Sequence, residues 1–168
     1  MKKLIAFAAA SLLVPAAAAA APVAANPPAK GKVLLLTPLT LTKLSDLHFG
    51  TIITSPTAGT VTVPADGSAP SASGGVTMVA SDPPVLAYFA GAGSVGQDVI
   101  IAVTNPGTLS DGLGNTVTVV SLDIEGSTTK TIDASHAFFF HVGGTIQVGA
   151  DQADGLYQSN FDVTADYQ

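Results

Sequence analysis

The end of the chain alternates apolar and polar positions with a period of two. From Tyr157 the odd positions are Tyr157, Ser159, Phe161, Val163, Ala165 and Tyr167, and the even ones are Gln158, Asn160, Asp162, Thr164 and Asp166. A period of two is that of a half-buried strand. Short runs of β-branched and apolar residues, together with this alternating end, predict strands at Val33–Thr42 with a break at Pro38, Leu47–Ile53, Thr60–Val63, Val76–Ala80, Val85–Ala90, Val99–Thr104, Thr116–Ile124, Ala137–Val142, Thr145–Val148 and Tyr157–Tyr167,. Between them lie turn clusters at Ala65-Asp66-Gly67, Ser81-Asp82-Pro83-Pro84, Asn105-Pro106-Gly107, Asp111-Gly112 and Gly143-Gly144,. After the first 20 residues no stretch has a period near 3.6,. Many short strands with no helix to cover a parallel sheet predict an all-β, immunoglobulin-like antiparallel sandwich.

The first 20 residues read differently. Met1, Lys2 and Lys3 precede an apolar, alanine-rich run, the layout of a secretory signal peptide,. Residues 1–20 are therefore predicted to be cleaved, which makes the chain exported and leaves no direct membrane insertion afterwards. Residues 21–31, rich in Pro, Ala and Gly, are predicted to be a flexible N-terminal extension, and residues 32–168 the sandwich,.

Charge narrows the partners. Without Lys2 and Lys3, four lysines remain against twelve acidic residues, 4 − 12 = −8, and arginine is absent. Nucleic acid, which needs clustered cations, is not an expected partner. The chain has no cysteine, so disulfides, thiolate metal sites and a lipid-anchored N-terminus are excluded, and stability must come from core packing or association,.

Candidate chemistry is sparse. Gly91, Gly93 and Gly96 have the spacing of a dinucleotide-binding loop, but a β-branched run follows where a helix is required, so a turn between strands is expected,. His136 and His141, five apart, fall on opposite faces of a strand, and His48 has no partner nearby in sequence,. No Gly-x-Ser-x-Gly elbow occurs, and Glu125 is the only glutamate,. The acidic loops Asp111–Asn115 and Asp151–Asp154 lack the ligand spacing of a calcium loop,. The expectation is no catalytic residue, no metal and no cofactor.

The C-terminal alternation, with Gly155 fourteenth from the end and Tyr167 penultimate, resembles the terminal signature of chaperone-usher pilins. Pro38–Thr42, Leu47–Ile52, Gly59–Val63 and Val142–Ala150 are similar to segments of bacterial exported domains of domain-of-unknown-function family 4402, relatives of pilus and spore-coat-type subunits. The resemblance implies a pilin-type sandwich lacking one strand. Gly155, Tyr157, Phe161, Val163, Ala165 and Tyr167 would line or flank the open cleft, filled first by a periplasmic chaperone and then by a like subunit's N-terminal strand. Passage through an outer-membrane usher to the cell surface is implied with it. Gly31, Val33 and Leu35 form the candidate donor segment. A self-contained adhesin or matrix module, with Tyr88-Phe89 as its candidate contact, is the alternative. A secreted hydrolase has only the abundance of Ser and Asp behind it.

Overall fold

The structure, a computed structural model, describes residues 21–168. The leader predicted over residues 1–20 lies outside them. Residues 21–34 form neither helix nor strand and are exposed. Leu35–Gln168 form a compact unit, separate from the residues before Leu35.

Twelve strands make up the compact unit: β1 Thr40–Ser45, β2 Ile52–Ile53, β3 Gly59–Val63, β4 Ser71–Gly74, β5 Thr77–Met78, β6 Ala87–Ala92, β7 Asp98–Val103, β8 Thr108–Ser110, β9 Thr116–Ile124, β10 Thr129–Thr131, β11 Ala137–Val148 and β12 Val163–Tyr167. All pairings are antiparallel, and no helix occurs among the described residues. The larger sheet has the order β1-β6-β11-β3-β4, with β9 and then β8 attached to β11. Val142 pairs with both Ala87 and Ile124, and Gly144 with both Val63 and Leu122, so β6 and β3 share one edge of β11 while β9 takes the other. The second sheet is β10-β7-β12, and β2 pairs with β5 alone. This is an antiparallel β-sandwich, as the alternation predicts.

β11 replaces two predicted strands and the turn between them. Gly143-Gly144 is not a turn because β3, β11 and β9 lie side by side there. A side chain on Gly143 would collide with the Val63 carbonyl, and one on Gly144 with the Ser121 carbonyl. Glycine serves close backbone approach here.

Two apolar clusters fill the interior. The first holds Ala87, Phe89, Val99, Ile101, Ile132, Phe138, Phe140 and Val142, with the inward residues of β12 packed against it. Phe140 is fully buried and its ring stacks on Phe89 at 5.3 Å between centroids. The second holds Val61, Val76, Val117, Val119, Ile146 and Val148. No residue of β7, β10 or β12 belongs to this second cluster; Phe49, Ile52, Met78, Leu109 and Tyr157 cover it instead. One half of the sandwich therefore has two sheets, and the other half has one sheet roofed by loops and the two-residue strands β2 and β5.

Three predicted strands are shorter than the pattern suggests, because no continuous ladder runs along them. Val33–Leu39 form no strand, and pairing begins at Thr40. Leu47–Ile53 is extended only at β2, with an isolated bridge from His48 to Val85. Tyr157–Asp162 forms no ladder, and pairing begins at Val163. β4, β8 and β10 were not predicted, because short Ser- and Thr-rich edge segments bury too little apolar surface to show alternation,.

Candidate functional site

Where the second layer is incomplete, an elongated groove of about 930 Å³ opens over the second cluster. Its floor is Val117, Val119 and Leu122 of β9 with Ile146 and Val148 of β11. One wall is the stretch from Lys43 to Thr54 and the other the stretch from Gln152 to Phe161. The walls meet at one end, where the Asp151 N–H donates to the Ser55 carbonyl at 3.0 Å.

The C-terminal wall turns Tyr157 and Phe161 inward but forms no ladder. Tyr157 and Phe161 are half-buried while Gln158, Ser159, Asn160 and Asp162 are exposed. The backbone of Gln158 exchanges hydrogen bonds with Ser110 at 3.0 and 3.1 Å, an isolated bridge. Tyr157 is fixed by its hydroxyl, which donates to the Ala153 carbonyl at 2.7 Å and accepts from Gln152 Nε2 at 2.9 Å. Its ring lies against the second cluster.

The six residues expected at the cleft divide into two groups. Gly155, Tyr157 and Phe161 line the groove. Val163, Ala165 and Tyr167 do not: they sit on β12 and pack on the first cluster. β12 pairs with β7 and with no other strand. Because Thr104 N–H donates to the Asp162 carbonyl and Gln168 N–H to the Asp98 carbonyl, the even-numbered residues face β7. The backbone groups of Val163, Ala165 and Tyr167 then face the opposite edge. Of the candidate donor segment, Gly31, Val33 and Leu35 lie outside every strand; Val33 and Leu35 are 81% and 84% exposed. Leu34 and Leu36 are exposed as well, giving four consecutive large aliphatic side chains in water.

The sequence missed one polar pair. His141 Nδ1 lies 2.8 Å from Glu125 Oε2, and the His141 backbone N–H donates to the same oxygen at 3.2 Å. The His141 hydrogen bond is the main cause that holds the Glu125 carboxyl below the usual carboxylate range, against the opposing effect of its burial. The two residues are 16 apart in sequence, and only the β9–β11 register brings them together. His141 also stacks on Tyr88, which stacks on Phe139, beside a shallow hollow of about 430 Å³ on the outer face. Phe89, next to Tyr88, is buried in the core. His136 lies before β11, its Nδ1 3.2 Å from the Gly93 carbonyl. No group of three or more metal-ligating side chains occurs among the described residues. Gly93 and Gly96 fall in the connection between β6 and β7, the turn expected there, and Gly91 lies within β6 under the Phe138 ring.

Residues 39–167 match the family described as Domain of unknown function (DUF4402). The chain belongs to this family. The match begins one residue before β1 and ends with the last residue of β12, so the DUF4402 domain contains the groove and both clusters. No curated protein and no solved structure matches the chain.

Proposed function

We propose that this DUF4402 chain is an exported, pilin-like structural subunit of a surface filament or coat, assembled with like subunits by donor-strand exchange. A periplasmic chaperone and an outer-membrane usher are its proposed escorts. The observation that carries the reading is the groove, whose C-terminal wall turns Tyr157 and Phe161 inward yet has no ladder. An added strand would supply the missing backbone partner and cover the apolar floor. The exposed run Val33–Leu36 supports the same reading, since aliphatic side chains in succession suit a strand that is buried after assembly,. Burying Val33, Leu34 and Leu35, the three that are mostly exposed, contributes about 4–9 kcal/mol before the cost of ordering and association.

The test is light scattering after size exclusion, with thermal unfolding, on the exported chain and on a form lacking residues 22–36. The reading requires polymers or an unstable monomer from the first, and a folded, non-polymerising domain from the second that a peptide of residues 22–36 stabilises. A stable monomer indifferent to the peptide would overturn it.

The stacked row Phe139, Tyr88 and His141 beside the outer hollow favours the second reading, a self-contained adhesin or matrix module. That reading requires a stable monomer that binds glycans and loses binding on Tyr88→Ala.

A further inference from the structure

The groove is polarised. At one end Lys43 and Asp46 line it and pair with each other. At the other, Asp154 lines it, Asp151 adjoins it, and both are exposed. The ion pairs among the described residues are Lys43–Asp46 and His141–Glu125, so neither Asp151 nor Asp154 has a cationic partner; Asp162, exposed beside Phe161 at the first end, has none either, which leaves two unpaired aspartates at one end and one at the other.

The exposed aliphatic run has a polarity of its own. Lys30 and Lys32 directly precede Val33–Leu36, and both are exposed. Lys43 and Lys130 are the only other lysines after residue 20, so half the cations of that region stand within three positions at the head of the run.

We propose that the groove takes the segment Lys30–Leu36 of a second copy of this chain in one orientation, with Lys30 and Lys32 at the Asp151–Asp154 end and Leu36 toward Phe161. This inference rests on the strand-donation reading and adds its electrostatic selector. With Leu36 beside Phe161, Lys32 lies beside Tyr157 and Lys30 beside Gly155 and Asp154. The reverse orientation would carry Lys30 and Lys32 to the end that already holds Lys43 and leave Asp154 facing aliphatic side chains. The donated segment accordingly runs in the same sense as the wall from Gln152 to Phe161. Opposite charges at matching ends guide encounter and reject the wrong register, an effect that salt removes.

The experiment follows polymerisation of the full exported chain by light scattering at low and high salt. Lys30→Glu is expected to slow assembly about tenfold at low salt and to match the parent in about 1 M salt, where charges are screened within a few ångström. Asp154→Lys in the same chain should restore the low-salt rate. Asp123→Lys makes the same change in net charge on the outer face of β9, where Asp123 is exposed, and should not restore it. Equal rescue by the two lysines, or no effect of Lys30→Glu, would overturn the orientation. A chain with Val33–Leu36 all changed to serine separates the two claims. If it fails to assemble while the charge variants are silent, the selector alone is wrong; if it assembles normally, strand donation by this segment is wrong.

Discussion

The Tyr167 hydroxyl donates to the Thr37 carbonyl at 2.8 Å, joining two residues 130 positions apart, and accepts from the Ser94 N–H at the same distance. Thr37 N–H in turn donates to Ser94 Oγ at 2.8 Å. The penultimate side chain thus ties the residues that lead into β1 to the connection between β6 and β7. Tyr167→Phe removes the hydroxyl and leaves the Ser94 N–H and the Thr37 carbonyl without it. We expect a thermal midpoint lower by a few degrees, read by circular dichroism, with the unfolding cooperativity unchanged.

Phe140 is the centre of the first cluster, with 0% exposure. Phe140→Ala should cost about 3–5 kcal/mol, because no neighbour can fill the space of a phenyl ring between two sheets. Native domains have about 5–15 kcal/mol in all. Urea unfolding should therefore show a midpoint shifted far down with a similar slope, or no folded baseline.

Gly143 and Gly31 make a matched pair. A Cβ on Gly143 would strike the backbone of β3, while one on Gly31 would meet nothing within 4 Å. Gly143→Ala should destabilise the domain by about 1–3 kcal/mol, since backbone rather than a flexible side chain must move. Gly31→Ala should leave unfolding unchanged. Parallel urea titrations of the two variants check the contrast.

The Glu125–His141 pair gives a pH dependence of known sign. A carboxyl held below its ordinary value of 4.5 contributes stability that is complete above that pH and disappears as pH falls through the lower, folded-state value. Glu125→Gln should therefore be less stable than the parent near neutral pH. The difference should shrink steadily below about pH 4.5,. Both side chains are more than a third exposed, so the neutral-pH loss should be under about 1 kcal/mol. Urea midpoints between neutral pH and about pH 3 give the comparison.

What the chain revealed in advance follows from which forces are local. Val61 and Val63, Phe138 and Phe140, and Val117 and Val119 could be read because each pair alternates within its own run and packs inward, whereas the bulge at Val120 turns Leu122 and Ile124 inward on the other parity. Gly143 and Gly144 were misread because glycine in a turn and glycine under a crossing strand look the same until the neighbouring strand is placed. Tyr157–Asp162 carries the side-chain pattern of a strand, but a ladder is a property of two backbones, and sequence supplies only one. Of the groove, the Tyr157 and Phe161 wall was legible, whereas the floor of Val117, Val119, Ile146 and Val148 reads as ordinary core. Its openness is set by strands that are not opposite it.

The odd-numbered backbone edge of β12 has a consequence for solvent. Amides of Thr164 and Asp166, engaged by β7, are expected to exchange with deuterium more slowly than those of Val163, Ala165 and Tyr167, whose side chains pack, partly buried, against the first cluster,. Each of these three residues thus has a packed side chain and a peptide group with no strand partner among the described residues. A segment so divided is anchored firmly enough to hold its shape while its hydrogen-bonding capacity stays unspent, and it exchanges protons at every second residue until another backbone is laid beside it.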